Sequence, residues 1–324
     1  MCMPDDRENF VKVKDQLRLL IRYSEVSRIT RGFSFEEKYL LSGTDPVKYL
    51  ARITVPADPE IIRAKRTEFE IIRRLKAYSS LVPEAHAFGI SDDGTLCFMV
   101  LDYVEGTDGE DALCGLSDKE QYRIGVQAGE ELRKMHAMAA PSGRLDWYTA
   151  IHEKYARKMA AFDRLGLDVP GIDREYLSSY IQKNLPCIRD AEMMFLHGDY
   201  HPSNLVLRDG DLKGIIDFNR YDWGDPVHDF IRVAYFTRAA SVPFSVGQVN
   251  GYNGGPPTPE FWKRYSLYCA MTLLPDFLWA HMYEEKSGMA GEVERAQQRI
   301  RMVYSDHEGF RSEVPVWYRD FHPE

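Results

Sequence analysis

Three polar side chains near position 200 have the types and spacing that phosphoryl transfer requires. Asp199 lies in the run His-Gly-Asp-Tyr-His-Pro-Ser-Asn, which ends at Asn204, and a second acid, Asp217, follows in Gly-Ile-Ile-Asp-Phe-Asn. Transfer of a phosphoryl group needs an acid beside the attacking hydroxyl and oxygen ligands that hold Mg²⁺ against the phosphates. We therefore predict that Asp199 is the catalytic base or hydroxyl-positioning group and that Asn204 and Asp217 are metal ligands.

Short strands and turns must position these side chains. Strand-like runs at 193–197, 204–208 and 213–217 place Asp199 directly after one strand and Asp217 at the end of the return strand of a hairpin. Both acids are therefore expected where a strand gives way to a turn.

The N-terminal third of the chain is predicted to fold in the order strand, strand, helix, strand, strand. Alternating apolar and polar residues at 35–42 and 47–54 flank a turn, and two more strand-like runs lie at 85–91 and 95–103. Between these pairs, Asp58 is expected to cap a helix that begins at Pro59.

The remainder of the chain is mostly helical by periodicity. Ser117 and Glu120 form a capping box that opens a long helix. The predicted helices lie at 117–138, 146–165, 173–187, 226–240, 258–285 and 290–304. We expect an α+β protein with two lobes: a small antiparallel-sheet N-lobe at 1–104 that binds the nucleotide, and a larger, mostly helical C-lobe at 105–324 with the catalytic loop and substrate region.

Composition excludes several other classes of protein. The formal net charge of −9 over 324 residues disfavours a nucleic-acid or anionic-membrane partner. No signal-peptide pattern is visible, and the longest apolar run, Leu96–Leu101, is too short to cross a bilayer, so we expect a cytoplasmic protein. The cysteines are scattered without a C-x-x-C pair, which predicts reduced, inert thiols: Cys2, Cys97, Cys114, Cys187 and Cys269.

The chain resembles the aminoglycoside phosphotransferase and choline kinase-like superfamily, whose members are distant relatives of protein kinases. The segments that carry the resemblance are Gly32–Ser34, Lys48–Ile53, Leu132–His136, His197–Asn204 and Asp225–Phe230. The resemblance implies a protein-kinase-like fold with a nucleotide, ATP or GTP, between the lobes. It also implies that Arg52 faces the phosphates and pairs with Glu68, and that Asp102, Tyr103 and Val104 hydrogen-bond the purine through their backbone.

The nucleotide-binding side departs from the family pattern at position 52, and its loop lacks the G-x-G-x-x-G pattern of protein kinases. The family usually has Lys where this chain has Arg52, and Arg and Lys differ in geometry. Leu50 shares a strand face with Arg52 and is expected to cover the base. The alternative is a surface arginine, with Lys48 or Lys38 in the phosphate role. The loop before the first strand has one glycine, and Ser34 with nearby backbone N–H groups could approach the phosphates.

The acceptor is expected to be a small molecule with a hydroxyl group, and a cationic, aminoglycoside-like or other antibiotic acceptor is favoured. Acids of the helical lobe could bind its amines, and aromatics could cage a quaternary ammonium. The candidates are Asp222, Asp276, Glu284 and Glu285, and Trp223, Trp262, Tyr265, Tyr268 and Trp279. Acids are usually solvated, however, and an aromatic stripe on a helix is usually core. The segment 242–259 is expected to be either a lid over the acceptor or an ordinary surface loop.

Several polar residues near the motif are predicted to be structural. His136 and His201 are expected to stabilise a helix end and a turn, while Asp229 and His197 are expected to hold the backbone of the catalytic loop. Two alternative functions stay open. One is a metabolite kinase that acts on choline, homoserine or a sugar amine. The other is a non-catalytic, pseudokinase-like binding module, which the arginine at position 52 suggests.

Overall fold

The computed structural model describes residues 8–30, 36–43 and 46–322. The helices are α1 (Glu8–Leu20), α2 (Pro59–Leu75), α3 (Gly109–Leu113), α4 (Asp118–Met135), α5 (Trp147–Arg164), α6 (Arg174–Asn184), α7 (Arg238–Ala240), α8 (Val242–Asn253), α9 (Pro259–Ser287), α10 (Glu292–Asp306) and α11 (Val316–Arg319). The strands are β1 (Glu25–Ile29), β2 (Glu37–Ser42), β3 (Tyr49–Thr54), β4 (Ala85–Ile90), β5 (Cys97–Asp102), β6 (Thr107–Asp108), β7 (Met194–Leu196), β8 (Leu205–Arg208), β9 (Asp211–Ile215) and β10 (Asp222–Gly224). Within these described ranges, none of the helices combines the length and the apolar character that a membrane span needs.

The chain divides into two compact units. The first consists of Met1–Thr107 together with two later segments, Val206–Arg208 and Lys213–Asn219. The second consists of Asp108–Leu205, Asp209–Leu212 and Arg220–Glu324. The later segments of the first unit were not predicted, because the sequence pattern gave a single boundary near residue 104.

The first unit is built on a five-stranded antiparallel sheet with the order β1-β2-β3-β5-β4. The predicted strand pairs and the intervening helix are all present. In α2, the Asp58 side chain accepts hydrogen bonds from the N–H groups of Glu60 and Ile61, and Pro59 is the first helical residue, as predicted. α1 and β1 were not predicted. The apolar face of α1, including Phe10, packs with the sheet into one buried cluster.

The second unit is mainly helical. α4 begins with the predicted capping box, in which Ser117 and Glu120 bond each other's backbone N–H groups. The predicted helix at 226–240 is less regular, since it consists of a 3₁₀ turn at Pro226–Phe230, a π-helical turn at Val233–Thr237 and the single turn of α7. The 3₁₀ turn carries Asp229, which the site requires.

The prediction of a lid or surface loop at 242–259 was wrong. Most of this segment is α8, which is capped by Ser241, ends at the left-handed Gly254 and buries Phe244, Val246 and Val249. The glycines that suggested a loop serve close helix packing instead. A Cβ atom at Gly247 or Gly251 would lie 2.2 Å from a backbone oxygen of α4.

The same close approach is seen from the facing helix. On α4, a Cβ atom at Gly125 would lie 2.2 Å from the carbonyl oxygen of Phe244, and one at Gly129 would lie 2.1 Å from that of Gln248. Two glycines, four residues apart on each helix, therefore let the backbones of α4 and α8 touch. Any larger side chain at these positions would force the helices apart.

Candidate active site

The loop that carries Asp199 begins directly after β7 and is held by one buried carboxylate. The backbone N–H groups of His197 and Gly198 donate to the two oxygens of Asp229, at 2.7 and 2.8 Å. Gly198 has a φ of 76°, and a Cβ atom there would lie 2.1 Å from the carbonyl oxygen of Arg220. The glycine of the His-Gly-Asp motif is thus required by its left-handed backbone and by the close approach of the 3₁₀ turn that ends at Arg220.

Asp229 is in turn held by a buried histidine. Nε2 of His136 lies 3.1 Å from Asp229 Oδ2, and its Nδ1 lies 2.9 Å from the hydroxyl of Tyr252. Burial would raise the pKa of Asp229, but the contacts with His136, together with His197 and the N–H of Gly198, lower it below its ordinary value. The structural roles predicted for His136 and Asp229 are confirmed by these contacts.

Asp199 is surrounded by basic groups of the second unit. Its carboxylate, which is 16% exposed, lies 3.3 Å from Arg232 Nε, 3.7 Å from Arg220 Nε and 3.7 Å from His201 Nε2. Burial would raise the pKa of Asp199, but His201, Arg232 and Arg220 lower it well below its usual range. Asp199 is therefore ionised at neutral pH, which suits a group that accepts a hydrogen bond from a hydroxyl and orients it.

Asn204 is oriented by the same loop. Its amide nitrogen donates to the carbonyl oxygen of Asp199 at 2.8 Å and lies 3.5 Å from the Asp199 carboxylate. This leaves Oδ1 of Asn204 without a hydrogen-bond donor among the residues that the structure describes. His197 stabilises the backbone of the loop, because its Nδ1 accepts a hydrogen bond from the N–H of Asp199 at 3.3 Å. This is the contact predicted for a structural histidine.

Asp217 belongs to the first unit and lies two residues after the end of β9. Ile215, the last residue of that strand, donates its N–H to the carbonyl oxygen of Leu81 at 3.0 Å. Asp217 has a φ of 65°, an uncommon conformation for a residue with a side chain. Within the described part of the chain, its half-buried carboxylate makes no hydrogen bond or close ion pair. Carboxylate and amide oxygens without protein donors are ligand types that suit Mg²⁺, and Asp217 and Asn204 each offer one within its own unit.

The second charged cluster lies between β3 and α2. Arg52, which is 5% exposed, makes the predicted pair with Glu68, at 2.8 Å from Nη1 to Oε1. Its Nε donates to Glu36 Oε2 at 2.8 Å, and Nη2 contacts the same oxygen. Lys65 completes the cluster, with Nζ 2.9 Å from Glu36 and 2.8 Å from Glu68. The burial of Arg52 excludes the alternative of a surface arginine.

Glu36 and Lys65 were missed in the sequence. A local signal existed for Lys65 alone, since a lysine three residues before Glu68 lies on the same face of α2. Burial would raise the pKa of Glu36, but Arg52 and Lys65 lower it to about 2. Burial would lower the pKa of Arg52, but Glu68, Glu36 and, less strongly, Asp217 raise it above its ordinary value. The cluster contains two cations and two carboxylates, each cation bridging both acids.

The other residues predicted to bind the nucleotide occupy β3 and the segment after β5. Leu50 is partly exposed on the face of β3 that carries Arg52. The N–H groups of Asp102 and Tyr103 already donate to the carbonyl oxygens of Glu84 and Lys48, both at 2.9 Å. The N–H of Val104 has no acceptor among the described residues.

Lys48, one of the alternative phosphate ligands, pairs with Glu105. The Gly32–Ser34 segment, including Ser34, lies outside the described residues.

The residues predicted to bind the acceptor are mostly engaged in structure. Asp276 forms two hydrogen bonds with Arg299, both at 3.2 Å, and Glu284 accepts from the N–H of Val293 at the start of α10. Trp223 is 3% exposed and packs on Phe195. Asp222 is about half exposed, 4.0 Å from Lys154.

The aromatic candidates divide by their exposure. Three aromatic residues of α9 are buried, as expected of a core stripe: Trp262, Tyr265 and Tyr268. Trp279, on the same helix, is 49% exposed. Acceptor contact by Asp222, Trp223, Asp276 and Glu284 stays a prediction.

Comparisons with known proteins give the same fold. A model of the phosphotransferase enzyme family matches residues 25–263. The GDP complex of wild-type aminoglycoside 2'-phosphotransferase-IIIa is 16% identical, covering 94% of this chain and 100% of that one, with a TM-score of 0.64. A thermostable mutant of aminoglycoside phosphotransferase APH(4)-Ia, in ternary complex with AMP-PNP and hygromycin B, is 15% identical over 90% of this chain and 97% of that one, with a TM-score of 0.61.

A third solved structure widens the range of acceptors among similar proteins. Macrolide 2'-phosphotransferase MphH from Brachybacterium faecium is 14% identical over 90% of this chain and 97% of that one, with a TM-score of 0.62. No curated protein sequence gives a significant match. The predicted α+β, two-lobed protein-kinase-like fold is confirmed.

Proposed function

Because this chain belongs to the phosphotransferase enzyme family, we propose that it transfers the γ-phosphate of ATP or GTP to a hydroxyl group of a small molecule. The observation that carries the proposal is the loop at 197–204. Asp229 fixes its backbone through two hydrogen bonds, and the loop presents an ionised Asp199 beside the amide of Asn204. Positioning and charge stabilisation supply most of the catalysis in this reaction class, and such a loop provides positioning.

Asp199 performs the step that this chain contributes most directly. Its carboxylate accepts a hydrogen bond from the acceptor hydroxyl and turns the oxygen lone pair toward the γ-phosphorus. A new bond forms between that oxygen and phosphorus as the bond from phosphorus to the bridging oxygen breaks. The nucleoside diphosphate departs, and the hydroxyl proton passes to Asp199 or to solvent.

The remaining site residues serve the nucleotide. Asn204 and Asp217 would hold Mg²⁺, which neutralises charge on the phosphates when it is bound. Arg52 and Glu68 fix the phosphate side of the nucleotide, supported by Glu36 and Lys65, while Leu50 covers the base. The N–H of Val104 is the free donor for the purine in the segment 102–104, and Ser34 completes the set in the proposal.

The class of acceptor is the open part of the function. The similar solved structures include complexes with streptomycin, gentamicin and hygromycin B, and a macrolide phosphotransferase. An aminoglycoside-like or other antibiotic acceptor is therefore the first class to test. A metabolite kinase is the second candidate. The basic groups around Asp199 favour an acceptor with an anionic group, such as the carboxylate of homoserine, over choline.

Labelled ATP and GTP with a panel of hydroxyl acceptors test the proposal. We expect Asp199→Asn to lower kcat by about a hundredfold or more, the typical contribution of a positioned acid or base. Asp217→Ala should abolish metal-dependent nucleotide binding and turnover. The control is Asp168→Asn, an exposed acid of the second unit, which should keep full activity.

Two results would contradict the assignment. Unchanged turnover in Asp217→Ala removes the metal-ligand role. Nucleotide binding without any product, even at stoichiometric enzyme, supports the pseudokinase-like alternative instead.

A further inference from the structure

Positive charge gathers around Asp199, although the chain as a whole carries a formal charge of −9. Arg232 and Arg220 contact its carboxylate through Nε, at 3.3 and 3.7 Å. Lys154 and Lys158 lie one turn apart on α5, which places them on the same face of that helix. We call these four side chains the basic cluster.

Contacts connect α5 to the catalytic loop. Nζ of Lys154 lies 4.0 Å from Asp222, which is paired with Leu196 across β10 and β7, directly before the loop of Asp199. Lys158 interacts electrostatically with both Lys154 and Arg232. The two arginines of the basic cluster therefore contact Asp199, and its two lysines adjoin them through Asp222 and Arg232, all within the second unit.

The basic cluster has more hydrogen-bond donors than the protein uses. Nε of Arg232 donates to the carbonyl oxygen of Gly198 at 2.9 Å, and the guanidinium lies 5.4 Å from the ring centre of Phe236. Among the described residues, the terminal nitrogens of Arg232 and Arg220 have no hydrogen-bond acceptor, and Lys158 has no ion pair. These are the forked and point-charge donors that bind phosphate and carboxylate groups.

Nearby acids compensate this charge only in part. Asp276 attracts Lys158 and Arg232, and Asp229 attracts Arg232. Arg299 already pairs with Asp276, and His136 and two loop N–H groups already hold Asp229. Asp199 and Asp222 are the other two acids that face the four cations. Although Lys158 is exposed as a residue, desolvation of its ammonium and repulsion from Lys154 and Arg232 lower its pKa. Burial, and then repulsion from Arg220, likewise lower the pKa of Arg232. An anion bound here would relieve both penalties.

We propose that the acceptor carries an anionic group, a phosphate ester or a carboxylate, which Arg232 and Lys158 bind while Asp199 orients its hydroxyl. The inference rests on the proposed function and names the charge of its acceptor. A polycationic aminoglycoside would meet like charges at this site, whereas an anionic acceptor gains charge-assisted hydrogen bonds. In the reaction, the acceptor hydroxyl oxygen bonds to the γ-phosphorus, the nucleoside diphosphate leaves, and the anionic group is unchanged.

Binding and transfer should be measured with four probes that differ in charge: glycerol, glycerate, glycerol 3-phosphate and kanamycin. We expect calorimetry to detect glycerol 3-phosphate or glycerate at millimolar concentration, with binding that weakens as salt is added. Which of the two anions binds better distinguishes phosphate from carboxylate. Lys158→Met should raise the Kd and KM of the bound anion about tenfold or more, and Lys158→Arg should restore most of the affinity.

Arg157→Met is the matched control. Arg157 directly precedes Lys158 on α5, is exposed and pairs with Glu153, so its loss should leave anion binding unchanged. Equal binding by wild type and Lys158→Met overturns the inference, as does binding of kanamycin without binding of either anion. If Lys158→Met raises the KM of the nucleotide and not that of the anion, the basic cluster serves the nucleotide, and this result also overturns the inference.

The two proposals fail in different ways. Transfer to kanamycin alone leaves the proposed function intact and removes the anionic acceptor. A different result would remove the proposed function and leave the anion site. In that case anion binding depends on Lys158, no probe is phosphorylated, and Asp199→Asn does not change nucleotide turnover.

Discussion

Replacement of Arg52 by methionine tests how the cluster between β3 and α2 stabilises the first unit. The variant leaves the buried carboxylates of Glu36 and Glu68 with Lys65 as their remaining cation. The pKa of Glu36 is lowered from 4.5 to about 2, mainly by Arg52 among the attractive contacts. That difference corresponds to about 3 kcal/mol of stability at neutral pH, similar to the usual loss when one partner of a buried ion pair is removed.

The expected loss is local and depends on pH. All five tryptophans lie in the second unit, so their fluorescence follows that unit, and hydrogen exchange of peptides from β3 and α2 follows the first. We expect exchange of those peptides to accelerate about a hundredfold at pH 7 in Arg52→Met. The folded-state pKa of Glu36 lies below its unfolded value, so its contribution is complete above pH 4.5 and is lost as the pH falls towards 2. The difference between wild type and variant should therefore shrink at about pH 3.

Two control variants sharpen this test. Arg73→Met removes an exposed ion pair with Glu70 on the same helix, and such a pair contributes about 1 kcal/mol or less. Arg52→Lys keeps the charge without the fork and should give an intermediate loss. A change of less than about 1 kcal/mol in Arg52→Met, or equal losses in both units, would show that the cluster does not stabilise the first unit.

Two further predictions concern the second unit. Gly129→Ala places a Cβ atom against the backbone of α8 and should cost about 1–3 kcal/mol of unfolding free energy, measured by urea unfolding with tryptophan fluorescence. Gly115→Ala, where the added atom has open space, is its control, and equal midpoints for the two variants would contradict the packing argument. Asp229→Asn cannot accept from both loop N–H groups with its two side-chain atoms, so kcat should fall about tenfold to a hundredfold while circular dichroism stays native. A kcat equal to that of wild type would show that Asp229 does not hold the loop in its active geometry.

Local signals in the sequence predicted the parts of the fold that depend on neighbouring residues. The Asp58 cap, the capping box of Ser117 and Glu120, and the hairpin of β2 and β3 are each specified within a few residues. The His-Gly-Asp motif and the later Asp217 were recognisable for the same reason. Their support by Asp229 followed from the family resemblance.

Tertiary contacts decided the parts that were missed. α8 contains two glycines, which lower its helical propensity, and it forms because those glycines fit against α4. Glu36 joins Arg52 across sixteen residues of sequence, so no periodic pattern marks the pair. The basic cluster likewise combines α5 with Arg220 and Arg232, far apart in the chain. The acids and aromatics of the helical lobe, which suit a cationic acceptor, do not mark it in the sequence.

The composition of the first unit limits how this protein can be recombined with its relatives. The segments Val206–Arg208 and Lys213–Asn219 supply Leu207, whose carbonyl oxygen lies against Gly106, and Gly214, which lies against Val104. A gene fragment that stops at the first boundary would encode a sheet without these late partners and without Asp217. Chimeras that exchange nucleotide specificity would therefore have to transplant three coding stretches together, since one continuous cassette does not contain the whole unit.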